Sequence, residues 1–193
     1  MSASPPHSVS RVHVIDYVIV IGWIVFWTYW FVAAAGAKPG QGKAGQYVGV
    51  RFAIVPLMLL LLRLKVVREH EVTLAPWLQG TGFALFLLGL ALAVWARLYL
   101  GRNWGSPMTE KDDPELVRTG PYRTIRHPIY SGVILALTGT ALATSVYWLI
   151  AVLVLVGYFT YSAIIEECTM ARRFPDDYPA YKHSTKMLIP YIF

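Results

Sequence analysis

Long uncharged blocks separated by short polar stretches dominate this chain, and their lengths set the elements to expect. The first block, Tyr17 to Phe31, merges into Ala33-Ala34-Ala35. A helix over about Val14 to Ala35 follows, with Trp23, Trp27, Tyr29 and Trp30 as interfacial aromatic surface. The alanines resemble a leader cleavage site. The apolar stretch of about 19 residues nevertheless exceeds the roughly 7–15 of a leader core, which favours a retained helix. Residues 1–11, rich in Ser, Pro and His, read as a disordered tail. Gly36 to Gly45 reads as a flexible loop; its GQGKA is no phosphate loop, because Ala37 stands at the first glycine position and Ala44 lacks the hydroxyl.

The second segment, about Tyr47 to Leu64, is uncharged only from Phe52 to Leu62 and is interrupted by Pro56. Arg51 and Arg63 would let it span by snorkelling to opposite interfaces. The third, about Leu74 to Tyr99, ends in Trp95, Arg97 and Tyr99. A polar connection follows over residues 100–127. Ile129 to Ile165 then runs 37 residues without a charge. One helix of that length would reach about 55 Å, against a hydrocarbon core of about 30 Å. The run must fold back into a hairpin of two short helices, and polar Thr144-Ser145 marks the place. The tail from Cys168 to Phe193 alternates charged and aromatic residues and reads as a surface segment. An all-α polytopic membrane domain with about five spans results, as a single unit over residues 1–193.

Composition agrees. Of 193 residues, 56% are hydrophobic and 15% charged, against roughly 25% charged in soluble domains. The net charge of +6 matters by position. With five spans, one side collects Arg11, Arg63, Lys65 and Arg68, and the other collects the remaining thirteen Lys and Arg residues. The second side is therefore expected to be cytoplasmic and the N-terminus outside. No basic stripe suits nucleic acid. A single cysteine, Cys168, excludes an internal disulfide or a Cys-rich metal site, and no histidines stand at metal-ligand spacing.

The chemistry concentrates at both ends of the hairpin run. Arg126-His127-Pro128 opens it and Glu166-Glu167 closes it, so the fold-back brings the two groups together at one membrane face. Pro128 suits a first helical position, and the free N–H groups of that turn, with Arg126 and His127, make a site for a carboxylate. The glutamates, expected at a helix C-terminus where the dipole disfavours them, call for a cation or hydroxyls nearby. A ligand with a carboxylate at one end and an amine, sulfonium or ribose at the other satisfies both, as S-adenosylmethionine does. The plainer reading has the arginine and histidine snorkelling and the glutamates paired with Arg172 or Arg173. Asn103-Trp104 reads as an interface anchor or a wall of the site. Tyr178 and Tyr181 read as packing residues or a lid. Ser131, Ser162 and Cys168 lack a base-orienter arrangement.

Leu100-Gly101-Arg102-Asn103-Trp104, then Glu115 through Gly132, then Glu166-Glu167, Phe174, Tyr178, Tyr181 and Leu188-Ile189-Pro190 resemble the isoprenylcysteine carboxyl methyltransferase and phospholipid methyltransferase superfamily. The resemblance covers residues 97–193. It implies an integral membrane enzyme that takes S-adenosylmethionine at the cytoplasmic end of its last helices and a lipid-like acceptor from the bilayer. Pro114, Glu115, Leu116, Val117, Tyr122, His127, Pro128, Ile129, Tyr130 and Glu166 match cofactor-contact positions, and Glu167 adjoins them. Arg126, His127 and Tyr130 are the expected catalytic residues, with Tyr122 beside them on the methyl path.

Three departures bear on the acceptor. Pro114 stands where many members have histidine, and Pro175 replaces a glycine. Ser162 occupies the position of a substrate-binding arginine, which takes from a carboxylate acceptor its charge partner. Phospholipid amine methylation, an NADPH-dependent sterol-type reductase and a non-enzymatic membrane scaffold are the alternatives at this point.

Overall fold

A computed structural model describes residues 9–34, 40–41, 75–104, 110–111, 115–190 and 192. The expected second segment, the GQGKA loop as a whole, and Pro114 lie outside the described residues. The elements are α1 (Val9–Ala34), β1 (Gly40–Gln41), α2 (Pro76–Leu100), β2 (Glu110–Lys111), α3 (Pro128–Ala143), α4 (Trp148–Arg173) and α5 (Tyr178–Ser184). The fold is all-α apart from the two-residue antiparallel ladder, in which Gly40 pairs with Lys111 and Gln41 with Glu110. Single 3-10 turns at Gly101–Asn103 and Gly120–Arg123 shape the connection between α2 and α3.

Among the described residues, three helices are long and apolar enough to cross a membrane: Val14–Ala33 of α1, all of α2 and all of α4. Their most apolar windows are only 17%, 28% and 17% buried, so their oily surface faces outward, as a lipid-facing helix requires. α3 is different. Its 16 residues reach about 24 Å, short of the roughly 30 Å core, and ten of them are buried. It is the inner helix on which the others pack.

Small residues make that packing close. Gly82, Gly89 and Ala93 of α2 face Gly132, Ala136 and Gly139 of antiparallel α3. A Cβ on Gly132 would stand 2.7 Å from both Ala93 N and Gly89 O, so backbone meets backbone along this seam. α1 lies against both helices. Trp23 Nε1 donates to Thr140 Oγ1 at 3.1 Å, and Trp23 packs on Phe86 within the main core cluster. Arg97 NH2 reaches Ala33 O at 2.8 Å and NH1 reaches Gly101 O at 2.6 Å, while its guanidinium lies 4.6 Å from the Trp104 ring. The C-terminal ends of α1 and α2 therefore share one end of the bundle, with the start of α3.

The hairpin turns at Thr144-Ser145, where the length argument puts it. Two expectations need correction. α1 begins at Val9, inside the stretch expected to be a disordered tail. The second helix of the hairpin is not short: α4 has 26 residues and passes straight through Glu166 and Glu167 to Arg173. Side-chain partners on other elements neutralise the glutamates, and Arg172 and Arg173 in the last turn suit the dipole there. Phe174, next to Pro175, then leaves helical geometry.

Candidate active site

Beyond α4 the chain turns back. Tyr178 and Tyr181 of α5 are buried edge to face, with ring centres 6.0 Å apart, and Tyr181 OH donates to Tyr122 O at 2.8 Å. Residues 185–190 then run beside the segment leading into α3. Arg126 N donates to Lys186 O at 2.8 Å, His127 N to Met187 O at 3.1 Å, and Lys186 N to Thr124 O at 3.1 Å. Ser131 Oγ donates to Leu188 O at 2.5 Å, which fastens this strap to the first turn of α3. Met187 and Leu188 pack with Ile129, Tyr130, Phe159 and Ala163.

The turn before α3 is set by Gly120, whose φ of +58° favours glycine and whose Cα faces the Tyr99 ring at the end of α2. Tyr122, buried in that turn, is in electrostatic reach of Glu166, Tyr181 and Arg97. Pro128 is fully buried at the start of α3, and no side chain caps the helix. The N–H groups of the first turn have no intrahelical acceptor and point toward this end of the bundle. Glu115, Leu116 and Val117 form an irregular approach to the turn, in which Asn103 Nδ2 donates to Glu115 Oε2 at 3.0 Å.

Glu166 and Glu167 meet the start of α3 here. Tyr130 OH donates to Glu166 Oε1 at 2.5 Å, and His127 Nδ1 lies 3.5 Å from Glu166 Oε2. Glu167 is 3% exposed; its Oε1 takes Arg126 Nε at 2.6 Å and its Oε2 takes Lys182 Nζ at 2.8 Å. Arg126 NH1 also donates to Lys182 O at 3.1 Å and Thr185 O at 2.5 Å, so this guanidinium ties α4 to α5 and the strap. His127 Nε2 is buried without a hydrogen bond, 3.6 Å from Glu167 Oε1. That is too long for a hydrogen bond but close enough for charge to act. The imidazole stacks on Tyr130 at 5.4 Å, and Tyr130 stacks on Phe159 at 4.5 Å.

The electrostatics follow from that geometry. Burial works against protonating His127, yet Glu166 and Glu167 together outweigh it and raise its pKa. Burial also raises the phenols of Tyr122 and Tyr178, and pushes Tyr181 up to about 12 despite the opposing pull of Arg126 and Arg118. The site therefore sets His127 between two carboxylates that favour its protonated form, walled by phenols whose neutral form burial favours. Among the described residues, no three His, Cys, Asp or Glu side chains gather as a metal-holding group.

The fold thus brings Arg126, His127, Pro128, Ile129, Tyr130, Glu166 and Glu167 together at one end, with Tyr122 behind them. Glu167 pairs with Arg126 and Lys182, where the plainer sequence reading offered Arg172 or Arg173. Lys182, Thr185 and Phe159 were not singled out by sequence. Lys182 looks like one more charge in an alternating tail, and nothing local gives it a buried partner. Ser162, at the position of the expected arginine, is fully buried and donates to Tyr158 O at 2.9 Å.

A model of the phospholipid methyltransferase family matches residues 77–177. The nickel-cobalt-cadmium resistance protein NccN of Alcaligenes xylosoxydans xylosoxydans is 28% identical over 139 residues, covering 68% of this chain and 60% of that protein. The methanethiol S-methyltransferase of Pseudomonas sp. (strain GM41(2012)) is 27% identical over 127 residues, covering 60% of this chain and 48% of its own length. The chain thus spans about half to three-fifths of these curated relatives. The family match holds α2, the Gly120 turn, α3, and α4 with both glutamates, and it takes in more than half of the residues. With three apolar spans around that site, the chain is an integral membrane protein that belongs to the phospholipid methyltransferase family.

Proposed function

We propose that this protein transfers a methyl group from S-adenosylmethionine to a lipid-like or prenylated acceptor that reaches the site from the bilayer, at the cytoplasmic face. The observation that carries this reading is the cluster of His127, Tyr130 and Glu166 at the start of α3, within a chain of this family. The residues fit such a donor. His127 Nε2 is a buried polar atom without a hydrogen bond, and the uncapped first turn of α3 beside it suits a carboxylate. Glu166 offers a carboxylate, 27% exposed, to an amine or ribose hydroxyls.

When bound, the donor supplies a methyl group already activated on a sulfonium. The protein's part is then positioning and exclusion of water. His127 brings positive charge to the donor's carboxylate. Arg126, through Glu167 and Thr185, holds His127 and the strap in register. Tyr122 and Tyr130 would line the approach and Glu115 to Val117 its rim; Pro114 is matched on the family pattern alone. The two carboxylates favour the protonated form of His127, which suits it to hold an anion rather than to take a proton. An acceptor already carrying an anion or a lone pair suits the site better than an ammonium.

Calorimetric titration of the purified protein with S-adenosylhomocysteine tests the donor. Binding is expected, and it should be lost in His127→Ala and Glu166→Ala. NADPH binding in its place would overturn the reading in favour of a reductase, and binding of neither would favour a scaffold. Labelled donor incubated with membrane lipid extracts, prenylcysteine analogues and small thiols identifies the acceptor. Ser162, buried on its own helix, supplies no charge partner for a carboxylate, so labelling of prenylcysteine alone would contradict that part of the reading.

A further inference from the structure

A cleft lies beside the carboxylate cluster, with Thr185, a partner of Arg126, in its wall. Its volume is about 260 Å³, and its walls are Arg118, Arg123, Ala180, Tyr181, Ser184 and Thr185. The size falls below the roughly 300–1,000 Å³ of pockets that enclose drug-sized ligands. With liquid water at roughly 30 Å³ per molecule, it has room for a phosphate and a few waters.

Its charge is positive and held by a fixed backbone. Arg118 and Arg123 flank Gly120, whose positive φ and contact with Tyr99 shape the turn that turns both toward one cleft. Arg118 NH1 lies 3.2 Å from Asp177 Oδ1, but the two side chains are 49% and 59% exposed. Water screens such a pair, so an incoming anion competes for the guanidinium with little loss. Arg123 is exposed and has no ion pair among the described residues. The Ser184 and Thr185 hydroxyls donate to Tyr181 O at 3.0 and 2.6 Å, which leaves recognition to the arginines.

Position identifies the source of the anion. Arg123 stands shortly before Pro128, where α3 enters the apolar bundle, at the end where α2 and its Arg97–Trp104 contact also stop. A guanidinium at that level meets headgroups, and its planar fork matches two phosphate oxygens at once. We propose that this cleft binds the phosphate of a membrane phospholipid headgroup. The inference does not depend on the methyl-donor reading and is tested without donor.

The test titrates purified full-length protein in a phosphate-free detergent, by thermophoresis, with short-chain phosphatidic acid, short-chain diacylglycerol and inorganic phosphate. Phosphatidic acid is expected to bind and diacylglycerol not to bind. Arg118→Gln with Arg123→Gln should weaken phosphatidic acid by about tenfold or more, the scale of one charge-assisted contact. Arg172→Gln with Arg173→Gln removes equal charge outside the cleft and should leave binding unchanged. If the double variant misfolds, Arg123→Gln alone carries the test, since its side chain is exposed. Unchanged binding in the cleft variants, equal weakening in the α4 control, or equal binding of diacylglycerol would each overturn the proposal. Inorganic phosphate binding more tightly than the lipid would overturn the lipid source.

Discussion

Glu167 shares its two oxygens between cations from different parts of the chain, and the two are not equivalent. Arg126 is 8% exposed in its side chain and holds both Glu167 and the strap, while Lys182 is 53% exposed. Removing Arg126 leaves a buried carboxylate short of a partner, so Arg126→Leu should destabilise by about 3–5 kcal/mol. Lys182→Met, at a screened position, should cost no more than about 1 kcal/mol. Denaturation in mixed micelles measures both, and equal losses would show that the burial difference has no consequence. His127 gives a pH dependence. Its folded pKa is raised above the unfolded value of about 6.5, so its contribution is complete below about pH 6.5 and is lost as pH rises through the folded pKa. The stability of wild type relative to His127→Gln should therefore fall as pH rises from acid to alkaline. A difference that grows with pH would contradict the carboxylate clamp. The residue types of this clamp were legible in sequence, as Arg126-His127 and Glu166-Glu167. The Lys182 partner of Glu167 was not, because only the return of α5 brings that exposed side chain to it.

At the scale of elements, α3 and α2 depend on close backbone approach. Gly132→Val would drive side-chain atoms into Ala93 and Gly89, and should destabilise by about 1–3 kcal/mol or prevent assembly. Gly157→Ala, on α4 with open space around it, should be neutral or slightly stabilising by helix propensity. Comparable losses at both positions would mean that the seam is not specific. The hairpin itself could be read from sequence, since 37 uncharged residues exceed any bilayer and polar Thr144-Ser145 interrupts the run. The end of α4 could not. Two adjacent glutamates look like a boundary by solvation alone, but the helix continues where tertiary partners neutralise them.

Across the whole molecule, the excess of Lys and Arg at the site end predicts that this end is cytoplasmic. The single cysteine makes the test direct. In a Cys168→Ser background, Arg173→Cys at the end of α4 should react with a membrane-impermeant maleimide in inverted vesicles and stay unlabelled in intact cells. The reverse pattern would invert the topology.

Solvation acts on each residue where it stands, so the sequence by itself determined the apolar spans among the described residues, the fold-back, the all-α class and the sites where charge must be explained. Pairing depends on which elements approach one another, and that was left to the tertiary structure. Glycine seams set how closely α2 and α3 meet, and the C-terminal strap returns to Thr124, Arg126 and His127. Only that return adds Lys182 to the Arg126–Glu167 pair and forms the arginine cleft beside them, because these contacts depend on a path of the chain that no local pattern encodes.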